Sequence, residues 1–450
     1  MAILGLIGTE ALADYRFKNI RRSVFYDYPN GVAPLTGILS LMDEEDTNDP
    51  EFSWWEKRLI QQRTTTASQG SSKGPFLTAA GSDLTDSQSL VAKTEYQVVV
   101  ASSAQFRVGH VIRIPVDLSS AASTGTVFGQ VTAIPDSTHI KFKSLKAVTS
   151  LDNGTSSPAG GENVGKEVLV IGSAAQQGQV GAGLSVYNEP NQLWNYCQIF
   201  RTAFQMTGTA LKTAVKYDDT GAYKDQAKDV SLDHMRGLEF AMLFGERTAN
   251  VDATTNLPTY TMGGILWFLQ QWELTSNNPY GRAGATADTD DDKRIITNSK
   301  GYITEKEWDE YLERVFRVTN NKANEKLCLC GSGALNVINR MFKGKTEFTV
   351  EGKVGDYGME VVKQVTPFGT IYYKTHPLFS QNATLRYNML FVEVGNLKYR
   401  YMQGRDTELL TGRQPNNADY REDEWLTECG LEVRKPETFM YIQNVLDWAP

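Results

Sequence analysis

YKDQAKDVSLDHMRGLEFAMLFGERT, residues 223–248, is the stretch on which the fold turns. It contains no proline, and Ala227, Val230, His234, Leu238, Ala241 and Gly245 recur at helical spacing beside Leu232, Met235, Met242 and Phe244. One long helix over about 223–248 is predicted.

Downstream, a second helix announces its own start. Thr304 is placed as N-cap, Glu307 three residues on completes a capping box, and Ile303 faces Trp308 as a hydrophobic staple. Trp308, Tyr311, Leu312 and Val315 then form its apolar stripe. KLCLC (326–330) reads as a strand leading through Gly331, Ser332 and Gly333 into the helical series Leu335, Ile338, Met341. MEVVKQV, GTIYYKTH, MLFVEVG and LKYRYM, between 359 and 402, are further strands. Helices and strands mix without strict alternation and no repeat of 20 to 50 residues appears, so the class is α+β.

Upstream, residues 1–50 read as an arm: the basic RFKNIRR, a short amphipathic helix started by Pro34 with Leu35, Ile38, Leu39 and Met42 on one face, then the acidic MDEEDTNDPE. Stretches 64–92 and 149–166 are rich in Thr, Ser, Gly and Ala, the composition of solvated loops. They bracket a small antiparallel β unit of YQVVV, FRVGHVIRI, TVFGQVTAI and HIKFK, followed by EVLVI. Val98, Val100, Phe106, Val108, Val111, Ile112, Val127, Val131, Ile140 and Phe142 are its predicted core. The loop flanks hold too little apolar surface to order on their own.

With 450 residues, 41% hydrophobic and 22% charged, the composition is globular, in two to four units. The opening MAILGLIGTEALADYRF lacks a basic leader, so no secretory signal is expected, and Gly263 to Leu269 is too short to cross a membrane. Four cysteines without metal-site spacing fit a reducing cytoplasm. A net charge of -8 predicts weak contact with nucleic acid.

Catalytic signatures fail one by one. CGSGALN invites a dinucleotide reading, but Asn336 stands where the third glycine belongs, and a tight turn with Ser332 as N-cap is the simpler assignment. Asp288, Asp290 and Asp292 match the first ligands of a calcium loop, yet Lys293 and Ser299 replace its turn glycine and bidentate glutamate. Cys328 and Cys330 share a strand face, and His234 and His376 could meet in space, although two separate buried histidines is the favoured reading. No enzyme, cofactor or metal is expected.

Three stretches carry a resemblance. PLTGILSLM with NDPEFSWWEKRL, through Pro34, Leu35, Thr36, Asn48, Glu51, Phe52, Trp54 and Glu56, resembles the end of the N-terminal arm in tailed-bacteriophage major capsid proteins of the Hong Kong 97 fold. NYCQIFRTAFQMTGTA, through Gln198, Phe200, Arg201, Phe204, Thr207, Gly208, Thr209 and Ala210, resembles the passage from the extended loop back to the spine helix. ECGLEVRKPETFMYI, through Glu432, Arg434, Pro436 and Phe439, resembles the return from the peripheral to the axial domain.

The resemblance implies an arm at 1–57 and an extended loop at 58–189 with a β-barrel-like insertion at about 92–172. It implies a peripheral domain at 190–325 and 400–436 holding the spine helix, and an axial domain at 326–399 and 437–450. It further implies self-assembly through homo-hexamers and homo-pentamers into a virion capsid built in the host bacterial cytoplasm. A scaffolding protein, a portal and a decoration protein are implied partners, with packaged double-stranded DNA touched weakly and no membrane. Leu35, Leu39, Phe52, Trp54 and Trp55 are the candidate assembly residues. A tail or adhesion protein, then a nucleotide-binding enzyme, are the alternatives.

Overall fold

A computed structural model describes residues 42–57, 62–68, 74–84, 88–118, 124–153, 163–175, 189–212, 222–251, 253, 255–273, 293–318, 324–342, 349–354 and 359–449. The chain divides into two compact units, one formed by residues 54–193 and 273–290 and the other by the remainder.

In the larger unit a first sheet takes the order β1 (Asp43–Thr47), β3 (Leu397–Met402), β4 (Tyr420–Val433), β2 (Gln198–Thr207). The long helix α1 (Ala222–Phe244) packs on β2 and β4 and buries His234, Leu238, Glu239, Met242 and Leu243. It stops four residues short of its predicted end. A Cβ on Gly245 would lie 2.3 Å from the Ala241 oxygen and 2.6 Å from that of Met262, so the backbone turns where another segment crosses it closely.

β1 was not foreseen as a strand, because DEEDT has poor β propensity. It pairs in parallel with β3, and Glu45 binds both Lys398 (2.9 Å) and Arg400 (2.7 Å), so cross-strand charge supplies what propensity lacks.

A second sheet runs in the order Ile295–Thr297, Met440–Gln443, Met389–Val392, Glu325–Cys330, Thr370–Thr375, Met359–Val365, Thr349–Val354. Helix Glu305–Arg317 buries Trp308, Leu312, Val315 and Phe316 in this sheet's core, and its capping box of Thr304 and Glu307 is formed. Residues 295–317 therefore belong with the second sheet, not with the 190–325 region to which the sequence assigned them. The short helix α2 (Pro377–Gln381) follows the strand ending at Thr375.

The smaller unit is a barrel. Its strands run Arg63–Thr65, Glu167–Ser173, His110–Asp117, Thr124–Ala133, His139–Ser144, Glu95–Val99, with Phe76–Thr78 beyond. A bridge between Thr66 and Val100 joins the first strand to the end of the sixth and closes the ring, which removes exposed edges. Two expectations are corrected here. Arg63–Thr65 and Phe76–Thr78 come from the stretch read as a solvated flank, and Phe76, Leu77, Leu84 and Leu90 are nearly fully buried. A few well-placed apolar side chains and a neighbouring strand order what average composition does not. Val108 is 57% exposed in the turn before Gly109, and Val111 alternates outward because His110 and Ile112 take the inward positions of their strand.

Candidate assembly surface

Of the five candidate assembly residues, Leu35 and Leu39 lie outside the described residues, as do Asp288, Asp290 and Asp292. The other three sit on strand Glu51–Glu56, whose burial alternates strictly. Phe52 and Trp54 point inward, and Trp55 points out, 65% exposed. Phe52 lies on Gly430, where a Cβ would come within 2.5 Å of its ring, and the Trp54 indole donates to Glu56 (3.1 Å). Both side chains are therefore buried within the subunit, while Trp55 is not.

The feature sequence reasoning missed is a row of carboxylates on β4. Glu424, Glu428 and Glu432 stand four apart on one face, all nearly buried, and each holds arginines. Glu424 binds Arg201 (2.6 Å) and Arg413 (2.9 Å), Glu428 binds Arg405, and Glu432 binds Arg400 (2.7 Å) and Arg434 (2.6 Å). The arginines other than Arg400 are between 37% and 60% exposed. Burial alone would raise the Glu424 carboxyl, but hydrogen bonds from Arg201 and Arg413 bring it below its ordinary value. The available signal was the spacing Glu-x-x-x-Glu-x-x-x-Glu within one strand pattern.

On the opposite face, His234 bridges β2 and β4 through the hydroxyls of Thr202 (2.9 Å) and Thr427 (2.8 Å). Desolvation lowers its pKa, so the neutral ring is favoured. His376 does not meet it but bonds Glu239 instead. Asn195 donates to the carbonyls of Gly263 (3.0 Å) and Leu431 (2.7 Å) and accepts from the Gly263 N–H (2.8 Å), tying three segments together.

The thiols are poor nucleophiles. Burial pushes the Cys197 thiol up to about 12 and raises those of Cys328 and Cys429 further. The glycine-rich turn also has a structural cause. The Gly331 carbonyl accepts from Leu335 (3.1 Å), so Gly331, not Ser332, occupies the capping position. The Ser332 amide is taken by Ser380 Oγ (3.1 Å) and that of Ala334 by the Arg386 carbonyl (3.2 Å). A Cβ on Gly331 would lie 2.1 Å from that carbonyl oxygen, so the glycine admits a neighbouring chain, not a phosphate. Among the described residues no group of three potential ligands could hold a metal, and no helix is long and apolar enough to cross a membrane.

None of these groups forms a catalytic constellation among the described residues, and comparison with known proteins gives the class: viral major capsid proteins. The model of the SU10 major capsid protein family matches residues 29–446. The chain belongs to that family, and its own elements mix helices and sheets in the α+β manner. It is 27% identical over 247 residues to the major capsid protein of Pseudomonas phage PaMx41; the match covers 54% of each, so the chain spans about half the length of that relative. Among solved structures it is similar to the holo-SrpI encapsulin complex of Synechococcus elongatus PCC 7942 (12% identity, 59% of this chain and 79% of that one, TM-score 0.37). A chain of Mycobacterium phage Patience gives 10% identity, 60% and 75% coverage, and TM-score 0.37. These distant superpositions bear no weight, and the assignment rests on the family match.

Proposed function

We propose that many copies of this chain close into the icosahedral head of a tailed phage, through hexamers and pentamers, around double-stranded DNA. The observation that carries the reading is the family match over residues 29–446. The net charge of -8 favours a wall that holds DNA weakly and lets it leave. Trp55 is retained as an assembly residue from the described candidates, and Leu35 and Leu39 of the arm are kept as candidates as well. Assembly takes place in the bacterial cytoplasm with scaffolding, portal and decoration proteins as partners, and the chain itself catalyses nothing.

Purified chain examined by negative-stain microscopy and sedimentation velocity tests this. Shells or ring-shaped capsomers are expected. Fibres would favour a tail or adhesion role, and a monomer at every concentration and salt, with or without co-expressed phage head proteins, would overturn the reading.

A further inference from the structure

We propose that copies associate head to tail by continuing the first sheet, the acidic outer edge of β1 from a second copy lying along the outer edge of β2. The inference rests on the multi-copy shell proposed above.

Among the described residues both ends of this sheet are open: β1 pairs only with β3, and β2 pairs only with β4. An open edge is a template for another strand. β2 runs for ten residues without proline or bulge. Beside it lies a groove of about 780 Å³ lined by β2, α1 and α2, with Ile199, Arg201, Arg236, Phe240, Gln381 and Asn382 in its wall. Arg236 Nε is buried there with no hydrogen-bond partner. Arg201 spends Nε and Nη2 on Glu424 yet remains 60% exposed, and Ile199 and Phe240 are 52% and 40% exposed. The groove thus offers two guanidinium groups beside the apolar Ile199 and Phe240, with the carboxylate of Asp233 also in its wall.

β1 is its chemical complement, with Asp43, Glu44, Glu45 and Asp46 in succession. Alternation sorts them by face. Glu45 pairs with Arg400, which pairs with Glu432, so Asp43 and Glu45 lie on the face of the carboxylate row while Glu44 and Asp46 lie on the α1 side. On β2, Arg201 bonds Glu424 on the face of the carboxylate row, whereas Thr202 bonds His234 on the α1 side. Continuing the sheet from β2 into a neighbour's β1 therefore delivers Glu44 and Asp46 to the side where Arg236 lacks an acceptor. It delivers Asp43 to the side of Arg201. Carboxylates are the acceptors such donors hold most strongly. Because the two edges differ, the contact is heterologous, the kind that closes rings.

The full chain tests this through charge reversal. Glu44→Lys with Asp46→Lys, or Arg236→Glu alone, is expected to raise the protein concentration needed for assembly by about tenfold or more, read by light scattering and sedimentation. All three changes in one chain restore complementarity and are expected to recover most of that loss. Variants that assemble like wild type, or a combined variant as impaired as the sum of its parts, would overturn the proposal while leaving the shell reading intact. Wild-type chains that never assemble would end both. Should Arg236→Glu fail to fold, Arg236→Gln replaces it, and unweakened assembly by that variant counts equally against the proposal.

Discussion

Glu239 on α1 and His376 at the start of α2 meet at 2.7 Å, carboxylate to Nε2, with neither side chain reaching solvent. His376 stacks on Phe379, and its Nδ1 has no partner. The ring thus meets the carboxylate through Nε2 alone. Removing Glu239 takes away the one bond of the buried ring, and removing His376 takes a bond from a buried carboxylate, each at a cost of roughly 3–5 kcal/mol. Glu239→Leu and His376→Phe are each expected to lower the urea midpoint sharply, and the double variant to lose much less than the two together. Additive losses would show that the pair is not coupled.

Trp54 and Trp55 are neighbours with opposite fates. Trp54→Ala is expected to destabilise the subunit by about 3–5 kcal/mol. Trp55→Ser is expected to leave the melting transition within about 0.5 kcal/mol of wild type while weakening assembly. Normal shells from Trp55→Ser would remove Trp55 from the interface.

Two carboxyls, the exposed Glu45 and the buried Glu424, are held low by cations. Hydrogen bonds from Lys398 and Arg400 lower Glu45, and Glu424 is lowered by Arg201 and Arg413 against its own burial. A folded pKa below the unfolded value gives stability that is present above about pH 4 and lost as pH falls through the folded value. Glu424→Gln should therefore flatten the acid limb of stability against pH in circular dichroism. An unchanged limb would assign the acid sensitivity elsewhere.

Lys326 has the opposite sign. Burial lowers its pKa to about 8, only partly offset by Glu393 at 3.7 Å, while Nζ donates to the carbonyls of Val318 (3.2 Å) and Thr438 (2.5 Å). Between about pH 8 and the unfolded value near 10.4 the unfolded chain binds the extra proton, so stability rises with pH. Lys326→Met should lack this rise, and the difference between the variants should shift by roughly 3 kcal/mol across that window. Parallel curves would refute it.

The closed barrel predicts protected amides in free subunits, including Phe76–Thr78 and Arg63–Thr65. Hydrogen exchange on unassembled chains checks this, and fast exchange at Ala67 and Ala101, whose N–H groups donate to the carbonyls of Val99 and Thr65 (both 2.9 Å), would show that the bridge at Thr66 does not hold the ring in solution.

What the sequence determined alone was local. The long helix, the capping box of Thr304 and Glu307, the five barrel strands between 95 and 173, the second-sheet strands at 325–330, 359–365, 370–375 and 389–392, and the α+β class follow from periodicities and caps that residues within a turn or two of one another decide. The carboxylate row at 424, 428 and 432 was written there too, but its meaning depended on arginines from other segments. Only tertiary structure decided that Trp54 turns in and Trp55 out, that His376 takes Glu239 and His234 takes two threonines, and that Gly331 makes room for Arg386. It also made an acidic run into a strand, since Glu45 finds Lys398 across 353 positions of chain. Partners at that distance are chosen by the packing of whole elements, which leaves no periodic trace in either segment.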